Sequence, residues 1–326
     1  MSRVPALSAS APTRLDFGGG WTDVPPYPAE RGGFVCALAI ERRARVTLMA
    51  RAPGAAPQSL PLIVQAALRR AGAGSLNSSL NASLDSDFPV GAGLGGSSAA
   101  CVALSAALAA WRGELLSPAM LAEHSREIEV EELGIPGGRQ DHYAAAFGGA
   151  LALTFGDRVT VDPIALDEPT CAALEQRCLV RYTGESRISG DTIQAVLDAY
   201  LARTPSVVFA LDRMAALARL MATSLRFGDL ESLGALVGEH WVHQRSLHPG
   251  IATPRIDAMI TRALAAGALG AKPLGASGGG CVLVIAARDR VHDVAAAIDG
   301  LGEPLPFRIA RRGVEVTRVP GDSGRP

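Results

Sequence analysis

The chain has 326 residues, 48% hydrophobic and 19% charged, enough for one large domain or two of ordinary size and too apolar on average to be disordered. Its 31 basic and 32 acidic residues leave a formal net charge of −1, which offers no basic field to a nucleic-acid backbone and argues against a DNA-binding role. Five scattered cysteines with no CxxC pair suggest neither a disulfide framework nor a zinc site, and a reducing compartment fits them.

In chain order, Arg3–Phe17, Gly33–Ile40 and Ala44–Ala50 read as strands, rich in Val, Ile and Leu and separated by Gly and Arg turns. The first fifteen residues hold no apolar stretch of the kind a secretion signal carries. Leu60–Ala71 has helical spacing, and Ser79–Ser86 alternates with Leu80, Ala82 and Leu84 on one side. Residues 89–96 form a glycine-rich loop, and Ser97 and Ser98 can cap the apolar helix that runs to Trp111. The run Ala99–Trp111 is the longest nearly apolar one and falls short of the ~20 residues a bilayer span needs, so a cytoplasmic, non-membrane protein is expected.

Helical stretches at Pro118–Leu133 and Gln140–Phe147 are divided by Gly134-Ile135-Pro136-Gly137-Gly138, which neither helix can absorb. Strand patterns at Ala150–Phe155, Val159–Val161 and Cys178–Thr183 precede helical ones at Gly190–Leu201, Pro205–Phe227, Leu230–Arg245 and Pro254–Ala266. The end reads as strands at Gly270–Leu274 and Cys281–Ala286, a helix at Val291–Leu301, and strands at Phe307–Ile309 and Val314–Arg318. The mixture predicts an α+β protein with a boundary near residue 165, giving units 1–165 and 166–326.

Three segments carry chemistry. Five of the eight residues in the 89–96 loop are Gly or Ala, so a ligand can approach the backbone while the next helix aims its free N–H groups at it, an arrangement that favours phosphate. Gly91, Gly93 and Gly96 fit G-x-G-x-x-G, but the acidic residue a dinucleotide fold requires is missing, and no Gly-Lys-Ser/Thr completes a Walker loop. The alternative is a tight packing turn. Ala11–Asp23 combines Arg14, Asp16 and Asp23 with Gly18-Gly19-Gly20 where a strand gives way to a turn; Asp23 alone can also be a turn cap. Gly137–His142 places Asp141 directly after the bend, where helix capping is the plainer role. His240 and His243 share a helical face but lack a third metal ligand.

Together these segments resemble the GHMP small-molecule kinases: Ala11–Asp23 is similar to the first family motif, Pro89–Ala100 to the ATP-binding second, and Lys272–Gly280 to the glycine-rich third. Glu127–Glu129 leading to Pro136–Gly149, Tyr182–Gly184 with Arg187, and His240–Trp241 through Pro254–Asp257 resemble the D-glycero-D-manno-heptose 7-phosphate kinases, while Gly20–Asp23 with Pro25–Pro26 is similar to the fucokinases. The resemblance implies a two-domain GHMP kinase fold, with a ribosomal protein S5 domain 2-like N-terminal domain and a ferredoxin-like C-terminal domain.

It also implies ATP-dependent phosphorylation of an anomeric hydroxyl. Heptose 7-phosphate is the first choice of substrate, a free sugar such as fucose the second, and a non-catalytic sugar- or nucleotide-binding regulator the third reading. By the resemblance, Pro89, Gly91, Gly93, Leu94, Gly95, Gly96, Ser97 and Ser98 cradle ATP. Ser97, with Ser98 as a substitute, and Glu129 hold Mg²⁺. Asp141 takes the hydroxyl proton beside Arg14, Thr22 and Asp23 bond sugar hydroxyls, and Arg187, Lys272, Gly278 and Gly279 meet the sugar phosphate or ATP. The partner expected is a small sugar or sugar phosphate, with no nucleic acid, no membrane, and a homo-oligomer left open.

Overall fold

The computed structural model describes residues 6–51, 59–71, 79–185 and 190–319. The β-branched and small apolar residues at the start form β1 (Ala6–Gly18) and β2 (Gly33–Ala50), with a short helix α1 (Tyr27–Arg31) between them; residues 3–5 of the expected first strand lie outside the described residues. The turn expected near residue 42 is a bulge in one continuous strand: Pro12 pairs with Arg43 and Thr13 with Ile40, so Glu41 and Arg42 leave the ladder. Arg42 donates instead to the carbonyl of Pro306.

Then follow α2 (Leu62–Arg70), β3 (Leu80–Ser86), α3 (Gly96–Trp111), α4 (Pro118–Glu127), α5 (Gln140–Phe147), β4 (Ala150–Phe155) and β5 (Val159–Ile164). The C-terminal half holds α6 (Glu168–Arg177), β6 (Cys178–Tyr182), α7 (Gly190–Leu201), α8 (Pro205–Arg226), α9 (Leu230–Ser246), α10 (Pro254–Ala265), β7 (Ala268–Pro273), β8 (Cys281–Ala286), α11 (Val291–Ala297), β9 (Glu303–Pro304) and β10 (Glu315–Val319). The helix expected to reach Leu133 changes at Ile128 into a wider π-helical turn through Glu132. The strand expected at Phe307–Ile309 is a single bridge from Ile309 to Ile40. Sequence periodicity missed α6, although Asp167 accepting from Thr170 N–H, with proline in the first turn, is a readable helix start.

The first sheet runs β10-β1-β2-β4-β5 with β3 also on β2; the second runs β7-β8-β6-β9, and every pairing is antiparallel. The expected unit 166–326 thus gives its last strand to the first sheet. Alternation along β2 divides the core: Val35 and Ala37 face a cluster with α3, whereas Phe34, Cys36 and Leu38 face one with α8. That second cluster also takes Leu283 and Ile285 of β8, so both sheets close on common apolar ground. Ala92 and Leu94 belong to it as well, which anchors the glycine loop where the sheets meet. Among the described residues no helix is long and apolar enough to cross a membrane.

Candidate active site

A cleft of about 970 Å³ opens where the two sheets meet, and all the residues of the expected ATP cradle, Pro89, Gly91 and 93–98, line it. The loop is tied down on both sides. Arg14 N–H donates to the carbonyl of Leu94 at 3.1 Å and Cys281 N–H to that of Ala92 at 2.8 Å. A Cβ on Gly93 would lie 2.6 Å from the carbonyl oxygen of Leu274, so the second and third motifs touch through backbone alone. The helix cap differs from expectation: Gly95, in the left-handed region at φ 74°, caps α3, and no side chain takes its first N–H groups. Those donors and the positive end of a sixteen-residue helix face the cleft, a ready anion site.

Asp141 stands against this loop. Arg14 donates to its Oδ1 from Nε at 2.7 Å, with Nη2 in ion-pair contact at 2.7 Å, and from Nη1 to the carbonyl of Gly93 at 2.6 Å. The guanidinium is nearly sealed, while Asp141 keeps a quarter of its side chain accessible. Asp141 does not cap α5. Asp23 does so through space: its Oδ2 accepts from the N–H groups of Arg139 and Gln140 at 2.8 and 2.9 Å. Burial pushes the Asp23 carboxyl up to about 6, with Asp141 adding to the rise and the two N–H bonds opposing it.

The π turn after α4 carries Glu129 into the cleft wall. Its Oε2 accepts from Ser98 at 2.7 Å and lies 2.8 Å from Nε2 of His142, with Ser97 beside Ser98 near enough to favour the charged carboxylate. Burial, the largest influence, raises this carboxyl; His142 and then the serines outweigh it and hold it below the ordinary glutamate range. The donors suit a hard cation, being hydroxyl and carboxylate oxygens. Among the described residues no group of three or more His, Cys, Asp or Glu forms a metal cage, so a cation here needs further oxygens from a ligand. His142, one residue after Asp141, sets its Nε2 against the Glu129 carboxylate from the first turn of α5.

Other expectations are corrected. Lys272 is fully buried, and its Nζ donates to the main-chain carbonyl of Asp16 at 2.8 Å and to Asp16 Oδ2 at 3.0 Å. It joins β7 to β1 and does not line the cleft. Behind it His240 Nε2 accepts from Gly19 N–H at 2.9 Å, and burial brings this imidazole down to about 3. Thr22 is also framework: its hydroxyl donates to the carbonyls of Gly19 and Phe34 and accepts from Phe34 N–H. Gly278 N–H donates to Ile251, and a Cβ on Gly279 would lie 2.5 Å from the Glu185 carbonyl, so both glycines pack away from the cleft, where Gly275 and Ala276 line it instead. Arg187 lies outside the described residues.

A helix N-terminus, a backbone-only loop and an arginine-bound carboxylate converging on one cleft define a phosphotransferase for small molecules. The GHMP kinases N terminal domain model matches residues 61–149 and the GHMP kinases C terminal model residues 214–303. A Campylobacter jejuni D-glycero-alpha-D-manno-heptose 7-phosphate kinase is 30% identical over 240 residues, covering 72% of this chain and 69% of the relative. A Mycobacterium bovis galactokinase is 30% identical over 260 residues, covering 69% of this chain and 71% of the relative. The crystal structure of a D-glycero-D-manno-heptose 1-phosphate kinase from Bacteroides thetaiotaomicron superposes with a TM-score of 0.78 at 23% identity, covering 96% of this chain and 99% of that one. The chain belongs to the GHMP kinase family: it has the two-domain fold of that family and is an ATP-dependent phosphotransferase with an alcohol acceptor.

Proposed function

We propose that this sugar kinase transfers the γ-phosphoryl group of ATP to the anomeric hydroxyl of D-glycero-D-manno-heptose 7-phosphate. The observation that carries the reading is Asp141, bound to Arg14 and in contact with the loop residue Gly95. There a hydroxyl can lie beside a carboxylate and face a phosphate held at the N-terminus of α3. The hydroxyl oxygen attacks the γ-phosphorus, its proton passes to Asp141, and the bond to the bridging oxygen breaks to release ADP. Arg14 fixes the carboxylate and sets a positive charge beside the transferring group. Ser97, Ser98 and Glu129 are the residues that would hold Mg²⁺. The ion, when bound, neutralises charge on the nucleotide's phosphate oxygens. Asp23, whose Oδ1 has only a 3.4 Å contact with Gln140, remains a candidate for a sugar hydroxyl.

Choice of the heptose phosphate rests on the similarity to the Campylobacter relative. One observation favours a second reading, a free sugar: among the described residues that line the cleft, Arg14 is the one guanidinium, and it is already bound to Asp141. A phosphorylated substrate would therefore need Arg187. The test is ADP release with heptose 7-phosphate, the unphosphorylated heptose, fucose, galactose and mevalonate. The first reading requires the highest kcat/KM on the heptose phosphate, with a large loss in Arg187→Ala. Turnover of free sugars only would select the second, and binding without any turnover would make the chain a sensor.

A further inference from the structure

Glu129 sits inside the acidic run Glu127-Ile128-Glu129-Val130-Glu131-Glu132, and of its four carboxylates only that of Glu129 lines the cleft. The run includes the π turn, a rare form closed here by Leu133 N–H donating to the Ile128 carbonyl at 3.1 Å. Like charges four residues apart on a helix repel, so Glu127 and Glu131 oppose this turn unless something neutralises both. One side chain does. Arg70, in the last turn of α2, donates from Nε to Glu127 Oε2 at 3.0 Å and from Nη1 to Glu131 Oε2 at 3.0 Å, with Nη2 2.6 Å from Glu127 Oε2. The two carboxylates it bridges lie two residues before and two residues after Glu129, which Ser98 and His142 hold from the inner side. Arg69, next to it, approaches Glu132 at 3.7 Å.

We infer that Arg70 is a positioning residue whose guanidinium clamps the π turn from outside and so holds the Glu129 carboxylate in the cleft wall for the cation. This rests on the placing of Mg²⁺ at Glu129 in the proposed function, and goes beyond it by assigning a residue that lies outside the cleft. A planar fork suits the task, because the Nε and Nη2 edge takes one carboxylate while Nη1 takes another. Repulsion between Glu127 and Glu131 becomes a bridge. The same helix lines the cleft at Ile63, about two turns before Arg70, so the clamp ties the wall that carries Glu129 to the wall that carries Ile63. The Arg70 side chain is 31% exposed, whereas Glu129 and His142 are nearly sealed, so salt should loosen the outer clamp before the inner contacts.

The test compares the unaltered protein with Arg70→Met and with Arg69→Met, which removes the same charge from the same turn of α2 and leaves the bridge intact. Mn²⁺ binding in the presence of saturating ADP, read by electron paramagnetic resonance, needs no turnover. Arg70→Met should bind Mn²⁺ about 3- to 10-fold more weakly, less than the loss for a direct partner of a metal ligand because the clamp acts through the turn and is partly exposed. Its affinity for ADP in the presence of a chelator should stay the same. The gap from the unaltered protein should narrow as KCl rises from roughly 0.05 to 0.5 M. Arg69→Met should follow the unaltered protein. If Arg70→Met fails to fold, Arg70→Lys, which keeps the charge without the fork, carries the same test with a smaller expected loss. Unchanged Mn²⁺ affinity, or an equal loss in the Arg69 and Arg70 variants, would overturn the clamp. No Mn²⁺ binding by the unaltered protein with ADP would instead count against the metal placement in the proposed function. The clamp would then be read by amide hydrogen exchange over residues 128–135, which should be faster in the Arg70 variant than in the other two proteins; equal exchange in all three would overturn it as well.

Discussion

A Cβ on Gly95 would lie 2.9 Å from Cγ of Asp141 and 3.0 Å from its Oδ2, so the cap of α3 and the first turn of α5 meet with no room for a methyl group. Gly95 also needs its left-handed φ of 74°. Gly95→Ala should therefore do two things: strain the loop by about 1–3 kcal/mol and displace the carboxylate, lowering kcat on the order of 10²-fold. Gly113 separates the two effects, since its φ is 75° and a Cβ there meets nothing within 4 Å. Gly113→Ala should cost stability with kcat intact. Comparable kcat losses in both variants would mean that contact with Asp141 is not what the glycine protects.

The Asp141 and Arg14 pair allows a sharper separation of binding from chemistry. Asp141→Asn keeps the shape and one acceptor for Arg14 but cannot take a proton. Its kcat should fall about 10²- to 10⁴-fold in single-turnover measurements, the usual range for a positioned base. Nucleotide affinity, measured by calorimetry, should change little. Turnover near that of the unaltered enzyme would take Asp141 out of the proton transfer.

Glu129 holds Ser98 and His142 at the cleft wall, so its loss should appear in the metal requirement before it appears in the fold. Glu129→Gln is expected to raise the Mg²⁺ concentration for half-maximal activity on the order of 10-fold or more, with partial recovery at high Mg²⁺. Comparing Ser97→Ala with Ser98→Ala then identifies the serine that shares the ion. Mg²⁺ titration curves that coincide with the unaltered enzyme's would remove Glu129 from the metal site.

The motifs were legible because close backbone approach demands glycine whatever surrounds it, and the 89–96 loop therefore announced itself. Strand alternation was legible for the same local reason along 79–86, and 150–155 read as a strand from its apolar run. What stayed hidden depended on distant partners. Lys272 reads as a contact to the sugar phosphate or ATP until Asp16, 256 residues away, is seen to accept from it. Thr22 reads as a ligand group until Phe34 claims its hydroxyl, and Asp23 reads as one without its second duty of accepting from the start of α5. Glu41-Arg42-Arg43 imitates a turn because three charged residues interrupt an apolar run, and only pairing with β1 reveals a bulge. The π turn that delivers Glu129 has no composition signal of its own, being one turn of a helix wound wider.

Asp23 offers a test of the site's electrostatics that does not depend on turnover. Its carboxyl rises from 3.8 to about 6, chiefly through burial. Between those values the native protein holds a proton that the unfolded chain has released, so stability is greatest below about 4 and is lost as pH rises through about 6. His240, brought down to about 3, works in the opposite direction over the acid range, but it is common to both proteins in a comparison and cancels. Asp23→Asn can still accept the Arg139 and Gln140 N–H groups and carries no charge to bury. Its stability relative to the unaltered protein should climb by up to about 3 kcal/mol between pH 4 and 6.5, measured by denaturant unfolding at half-unit steps. A difference that stays flat over that interval would mean that the Asp23 carboxylate is as well solvated in the folded chain as in the unfolded one, and that the cleft floor is wetter than its geometry requires.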